Sequence, residues 1–224
     1  MPDPKLKIEG VDIVCLGSFN PQVLHPYWLA AQELIRKEEA ETAQVEVVHP
    51  ELAAVTVGSV KVQVTHNRFS TSTEDPSSYE VARDLAMGYL KILHHSPVKV
   101  MGINRNVHYL MPSEDAWHQI GHRVAPKDVW SDILIKPGLR SLTMEGKRPD
   151  NFKGFIRVRV EPSTRIKPGV YITMNDHYEA ATEEPGRGSE EFIEMLRANW
   201  KQFLGLSRKV IHSVLEIQDE SAAG

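Results

Sequence analysis

The sequence predicts an α+β protein, with a ferredoxin-like βαββαβ N-terminal half followed by an α-βββ-α half, and an antiparallel sheet covered by helices on one face. Three observations carry that prediction. Between Leu139 and Glu179 three strand-like runs follow one another, and the middle run, F-I-R-V-R-V-E from Phe155 to Glu161, alternates strictly. Its apolar Ile156, Val158 and Val160 interleave with Arg157, Arg159 and Glu161, the period-two pattern of a strand with one face in the core and one in water. Between Val11 and Met111 strand-like and helix-like patterns succeed one another as strand, helix, strand, strand, helix, strand, the order of a split β-α-β sandwich. From Ser189 onward Phe192, Leu196, Trp200, Phe203, Ile211 and Leu215 recur at helical spacing, so a long amphipathic helix is expected to lie across the preceding meander.

Taken in order, Val11 to Phe19 reads as a strand closed by Asn20-Pro21. His25-Pro26 opens a helix, because proline in the first turn gives up only an N–H that has no partner anyway. Its apolar face is Trp28, Leu29, Leu34 and Ile35, and its solvated end runs from Arg36 to Glu41. Val45 to Val48 is a short apolar run. Ala54 to Thr71 reads as two strands, or one long bent strand, with Gly58-Ser59 at the turn. Ser77 stands three residues before Glu80, a capping-box spacing. The helix that follows, from about Ser78 to His94, buries Tyr79, Ala82, Leu85, Ala86, Tyr89, Ile92 and Leu93. Val98 to Met111 returns as a strand and completes the first unit, residues 1–111; residues 112–224 form the second, packed on it.

In that second unit Ser113 caps a short helix carrying Glu114, Asp115, Trp117 and Ile120, and Val129 to Ile135 adds a helical turn or two before Pro137-Gly138. The loop Ala181 to Ser189 is polar and glycine-bearing, and the last residues, Gln218 to Gly224, are expected to fray.

Composition narrows the function classes. The chain has 224 residues and 41% hydrophobic residues, enough for a sizeable core. Lys+Arg 26 against Asp+Glu 30 gives a net charge of -4, without the basic excess that phosphate contacts demand, so nucleic acid is not an expected partner. Mean hydropathy is -0.33, and no run approaches the length of a membrane span. No membrane association and no secretory signal are expected, and the lone Cys15, between Val14 and Leu16, fits a reducing cytoplasm.

No nucleophile elbow, Walker loop or dinucleotide fingerprint occurs, so no cofactor is expected. The leading candidate is a ligand-binding group on the wet face of the meander: Arg157, Arg159, Asn175, His177 and Glu179. Guanidinium forks beside an imidazole suit a carboxylate or phosphate, whereas the bland reading is a solvated face with cross-strand Arg–Glu pairs. Alternation sends Asp176 and Tyr178 to the opposite face, where a buried Asp176 needs an arginine or backbone N–H partner. Asn104, Asn106 and His108 share one side of their strand, while Arg105 is directed inward with Ile103 and Val107. His118 and His122 stand at i, i+4 spacing but lack a third ligand, so no metal is assigned. With no catalytic constellation, the chain is expected to be a non-catalytic binding or assembly module acting through its sheet face or edge, with a protein partner or a second copy of itself. The alternative is a small-molecule enzyme or anionic-ligand-binding protein using Arg157, Arg159 and His177.

Overall fold

A computed structural model describes residues 3–181 and 187–216. In chain order the elements are β1 (Lys5–Gly17), α1 (Pro26–Ala31), α2 (Lys37–Thr42), β2 (Gln44–His49), β3 (Leu52–Val57), β4 (Val60–Thr65) and β5 (Arg68–Thr73). They continue with α3 (Tyr79–Ile92), β6 (Val98–Leu110), α4 (Glu114–Val124), β7 (Leu142–Lys147), β8 (Gly154–Pro162), β9 (Gly169–Glu179) and α5 (Arg187–Leu215). All nine strands form one sheet in the order β2-β3-β4-β5-β1-β6-β9-β8-β7, so the α+β class is as expected but the sheet is larger.

The ferredoxin-like arrangement is not what the sheet shows. A split βαβ unit sets two strands parallel through a crossover, yet every ladder here is antiparallel. The stretch from Ala54 to Thr71 supplies parts of three strands rather than one or two. Gly58, with φ 57, makes one turn; the other, at His66-Asn67, carries neither glycine nor proline. Hairpins therefore stack β2 to β5 outward from β1 without a helix between them.

The helix after His25 also divides. Glu33 adopts φ 58 and the Leu34 amide returns to the Leu29 carbonyl at 2.9 Å, which stops α1. Glu39 then accepts the Arg36 amide at 2.7 Å to start α2. Ahead of α3, Asp75 caps the 3-10 turn Pro76–Ser78 by accepting the Ser77 amide at 3.0 Å, in place of a Ser77–Glu80 box, and Ser78 then leads into α3 without a side-chain cap bond. Ser113 caps α4 as expected, accepting from the Ala116 amide at 3.1 Å.

Register sets the two faces of the sheet. Val11, Ile13 and Cys15 of β1 stand opposite Arg105, Ile103 and Met101 of β6, and this side carries the core with Phe69, Tyr89, Met174, Tyr178, Trp200 and Phe203. α3 lies over β5 and β1, and α5 packs on α3, β6 and β9. The closing helix thus lies mainly over β9, the inner strand of the meander; on β8 Val160 is buried, while Ile156 and Val158 are half-buried at the margin of the core. A second apolar cluster joins α4 and the end of α5 to Val107, Tyr109, Val170 and Ile172.

Val129 to Ile135 contributes a single 3-10 turn at Asp128–Trp130, and its apolar side chains find no layer to enter. Ile133 is 74% and Ile135 97% exposed. The Ala181 to Ser189 loop lies for the most part, and the Gln218 to Gly224 tail entirely, outside the described residues.

One ion pair is sealed between the meander and the core. Arg148, from the β7–β8 turn, donates to Asp176 and Asp150, and its guanidinium lies 3.8 Å from the centre of the Tyr178 ring. The Tyr178 hydroxyl donates to Asp176 at 2.9 Å. With side-chain exposures of 4% and 3%, neither Arg148 nor Asp176 has water as an alternative partner. Removing one member of such a pair costs about 3–5 kcal/mol, whereas replacing both by apolar groups costs far less. Arg148→Met and Asp176→Leu are each expected to lose about that much in urea unfolding, and the double variant less than the sum of the two. Additive losses would show that the pair does not act as a unit.

Candidate functional site

The helix-free side of the sheet is assembled from rows of residues that face one another across the ladders. One row reads Thr56, Lys61, Ser72, Asp12, Asn104, Asn175, Arg157, Glu145, from β3 to β7. It is polar at every position. Seven inter-strand steps of about 4.8 Å make it roughly 34 Å long. The next row reads Gly10, Asn106, Thr173, Arg159, Thr143, and a third Ile8, His108, Tyr171, Glu161. Alternation along each strand puts these side chains on the face opposite the core.

Hydrogen bonds fix the amides in these rows. Asn106 donates to Asp12 at 2.6 Å and accepts from the Tyr171 hydroxyl at 2.8 Å. Asn175 donates to Asn104 at 2.7 Å. Side chains held this way present their remaining donors and acceptors in set directions, which lowers the ordering cost of binding.

His108 is held as firmly. The Ser163 hydroxyl accepts the amides of Arg165 and Ile166 at 3.2 and 3.0 Å. Its own proton is then left for His108 Nδ1, 2.8 Å away, so the neutral ring carries its hydrogen on Nε2. Burial, and after it the Arg165 charge, pushes the His108 pKa down against the opposing pull of Glu74.

Two clefts open on this face. One, of about 660 Å³, lies over β4, β5, β1 and β6 and is walled by Glu161, Pro162, Thr164 and Arg165. The other, of about 510 Å³, lies over β1, β6, β9, β8 and β7. Asp12, Asn106 and Tyr171 line both, so the two form one trough.

The five residues singled out in the sequence divide here. Arg157, Arg159 and Asn175 line the second cleft. His177 lies outside its lining and stacks on Phe155 with ring centres 4.2 Å apart, and its Nε2 is 4.0 Å from Glu179. Burial lowers the His177 pKa, with Glu179 opposing. Arg157 contacts Glu145 at 2.6 Å and Arg159 approaches Glu161 at 3.6 Å, so both guanidinium charges have a carboxylate partner. Arg105 does point inward, to Glu9 and the Tyr79 hydroxyl on the helix side.

Other candidates fall away from the trough. His118 and His122 line a recess of about 80 Å³ between α4 and Pro137–Leu139. Among the described residues no three His, Cys, Asp or Glu side chains come together as metal ligands. Cys15 is buried, which pushes its thiol up to about 12 and removes it as a nucleophile. Among the described residues no helix is long and apolar enough to cross a membrane.

Sequence patterning did not single out Asp12, which stands between Val11 and Ile13 in the run from Val11 to Leu16; a carboxylate among those apolar residues was the available signal. Burial raises its pKa, only partly offset by the Asn106 hydrogen bond and the Arg68 charge. A carboxyl whose folded pKa lies above its unfolded value of 3.8 binds more protons when folded. Stability contributed by Asp12 is therefore lost as pH rises through the interval above 3.8 and stays lost at neutral pH. Asp12→Asn, which still accepts from Asn106, is expected to raise the thermal midpoint at pH 7, with the gap to the parent closing toward pH 3. An equal or lower midpoint at pH 7 contradicts this assignment.

Neither known protein families nor curated proteins contain a match to this sequence.

Proposed function

We propose that the chain is a non-catalytic binding module whose helix-free sheet face takes an extended, polar segment of a partner protein. The observation that carries this reading is the sharing of Asp12, Asn106 and Tyr171 by the two clefts, which makes one trough across the strands. The charges along its main row alternate: Lys61 positive, Asp12 negative, Arg157 positive, Glu145 negative. Between them stand the neutral hydrogen-bonding groups Ser72, Asn104 and Asn175. Such a row complements a segment rich in amides and hydroxyls, with little net charge, better than it complements a polyanion.

The face is favoured over the sheet edges. β2 is broken by a bulge between Val45 and Val47, and β7 carries Glu145 and Lys147, devices that discourage strand addition. The alternative, an anionic ligand or small-molecule substrate held by Arg157, Arg159 and His177, requires Glu145 and Glu161 to be displaced first. Like charges at the rim would then oppose the ligand.

A photo-reactive benzoylphenylalanine at Thr173, in the trough, tests the reading against the same group at Glu80, on the exposed side of α3. Irradiation in native lysate is expected to give a discrete protein adduct from Thr173 only, abolished by Asn104→Arg. A mass increment of 25.3 kDa identifies the partner as a second copy. No adduct, or the same adducts from both positions, overturns the proposal.

A further inference from the structure

On the opposite side of the sheet, between the ends of β1 and β6 and the α5 helix, lies a separate pocket of about 370 Å³. That volume is at the lower end of small-molecule sites, which span about 300–1,000 Å³. Its polar end is built around Arg105, whose side chain is 14% exposed. Arg105 donates to Glu9 and to the Tyr79 hydroxyl, using two of the five N–H groups of a guanidinium. Its other N–H groups make no hydrogen bond among the described residues.

A second guanidinium faces the same space. Arg208 of α5 lines the pocket and lowers the pKa of the Tyr109 hydroxyl, against the larger, raising effect of burial. Among the described residues Arg208 has no carboxylate partner. Two arginines thus face the single carboxylate of Glu9, Arg105 nearly buried and Arg208 exposed at the mouth, so an anion entering between them can accept charge-assisted hydrogen bonds from both.

Much of the remaining wall is aliphatic, and Pro76, Tyr109 and His212 complete it. Val107 and Ile211 are buried, Leu204 is half-buried, and Leu6 closes the outer side. Leu6 is there because of a bulge in β1. The ladder shifts between Leu6 and Ile8, so Leu6 stands opposite Tyr109 on the helix side while Ile8 stands opposite His108 on the trough side. A bulge that re-aims one side chain commonly serves a site.

We propose that this pocket binds an aliphatic monocarboxylate, its head group between Arg105 and Arg208 and its chain along Val107, Leu204 and Ile211. The site is independent of the trough and lies on the other face of the sheet. One anionic head matches the pair of guanidinium groups, and an unbranched apolar chain matches the row formed by Val107, Leu204 and Ile211, while the Tyr79 ring is covered by the Arg105 guanidinium at 4.8 Å.

Octanoate titrated into the full chain by isothermal calorimetry tests this, with octan-1-ol and inorganic phosphate as comparators. Octanoate is expected to bind, with the alcohol and phosphate each at least tenfold weaker. Arg208→Gln, at a solvent-facing helix position, is expected to weaken octanoate about tenfold, equivalent to about 1.4 kcal/mol, without changing the thermal midpoint of the unliganded chain. Asn104→Arg in the trough is expected to leave octanoate binding unchanged. Absence of octanoate binding, equal affinity for the alcohol or for phosphate, or an Arg208→Gln variant that binds octanoate as the parent does, overturns the proposal.

Discussion

The ladder between β1 and β6 is the constraint on which the other features depend. Both strands are 13 residues long, and they pair along nearly their whole length at the centre of the sheet. Hairpins extend the sheet from β1 in one direction and the meander extends it from β6 in the other. Because side chains alternate, a slip of one residue in this ladder would turn Val11, Ile13 and Cys15 toward water and bring Asp12 into the core. The register that buries the apolar set also fixes Asp12 on one face and Glu9 on the other. Trough and pocket are consequences of the same pairing.

Much of the local structure was legible in the sequence, because it rests on local patterning. The alternation in β8 and β9, the stripe of α3 and the long apolar face of α5 all report how each segment buries one side, and proline or capping residues mark most ends. What was not legible is which segments meet. His66-Asn67 turns the chain without glycine or proline, so β4 and β5 read as one strand and the strand count fell short. The α5 face showed that a covering helix existed but not that it settles on β6 and β9, leaving Ile156 and Val158 at its margin. Val129 to Ile135 has the composition of a buried segment, yet no element of the fold lies over it.

The candidate site shows the same limit. Arg157 and Arg159 are visible in the sequence because they alternate with valines, but their pairing with Glu145 and Glu161 is partly a matter of register with β7. The amides of Asn104 and Asn175 are separated by 71 positions in sequence and meet at 2.7 Å only because β6 and β9 are neighbours. Asp12 gave a signal of a different kind. A carboxylate in an apolar strand costs stability unless it is paired, and its neighbour is an asparagine rather than a cation at hydrogen-bond distance.

Charge balance separates what the two faces can accept. On the helix-free side Lys61 meets Glu46, Arg157 meets Glu145, Arg159 meets Glu161 and Arg165 meets Glu74. Exposed pairs of this kind contribute little stability, but they cancel the local field, so recognition there rests on hydrogen-bond geometry. On the helix side Glu9 pairs with Arg105, and Arg208 lines the same space with no carboxylate partner among the described residues. An anion approaching the trough meets arginines already neutralised, whereas one entering the pocket meets the nearly buried Arg105, where lower polarity strengthens the attraction, and Arg208 at the mouth. The arginines most visible in the sequence are thus the less suited to an anion, and the one set inward on β6 the better placed.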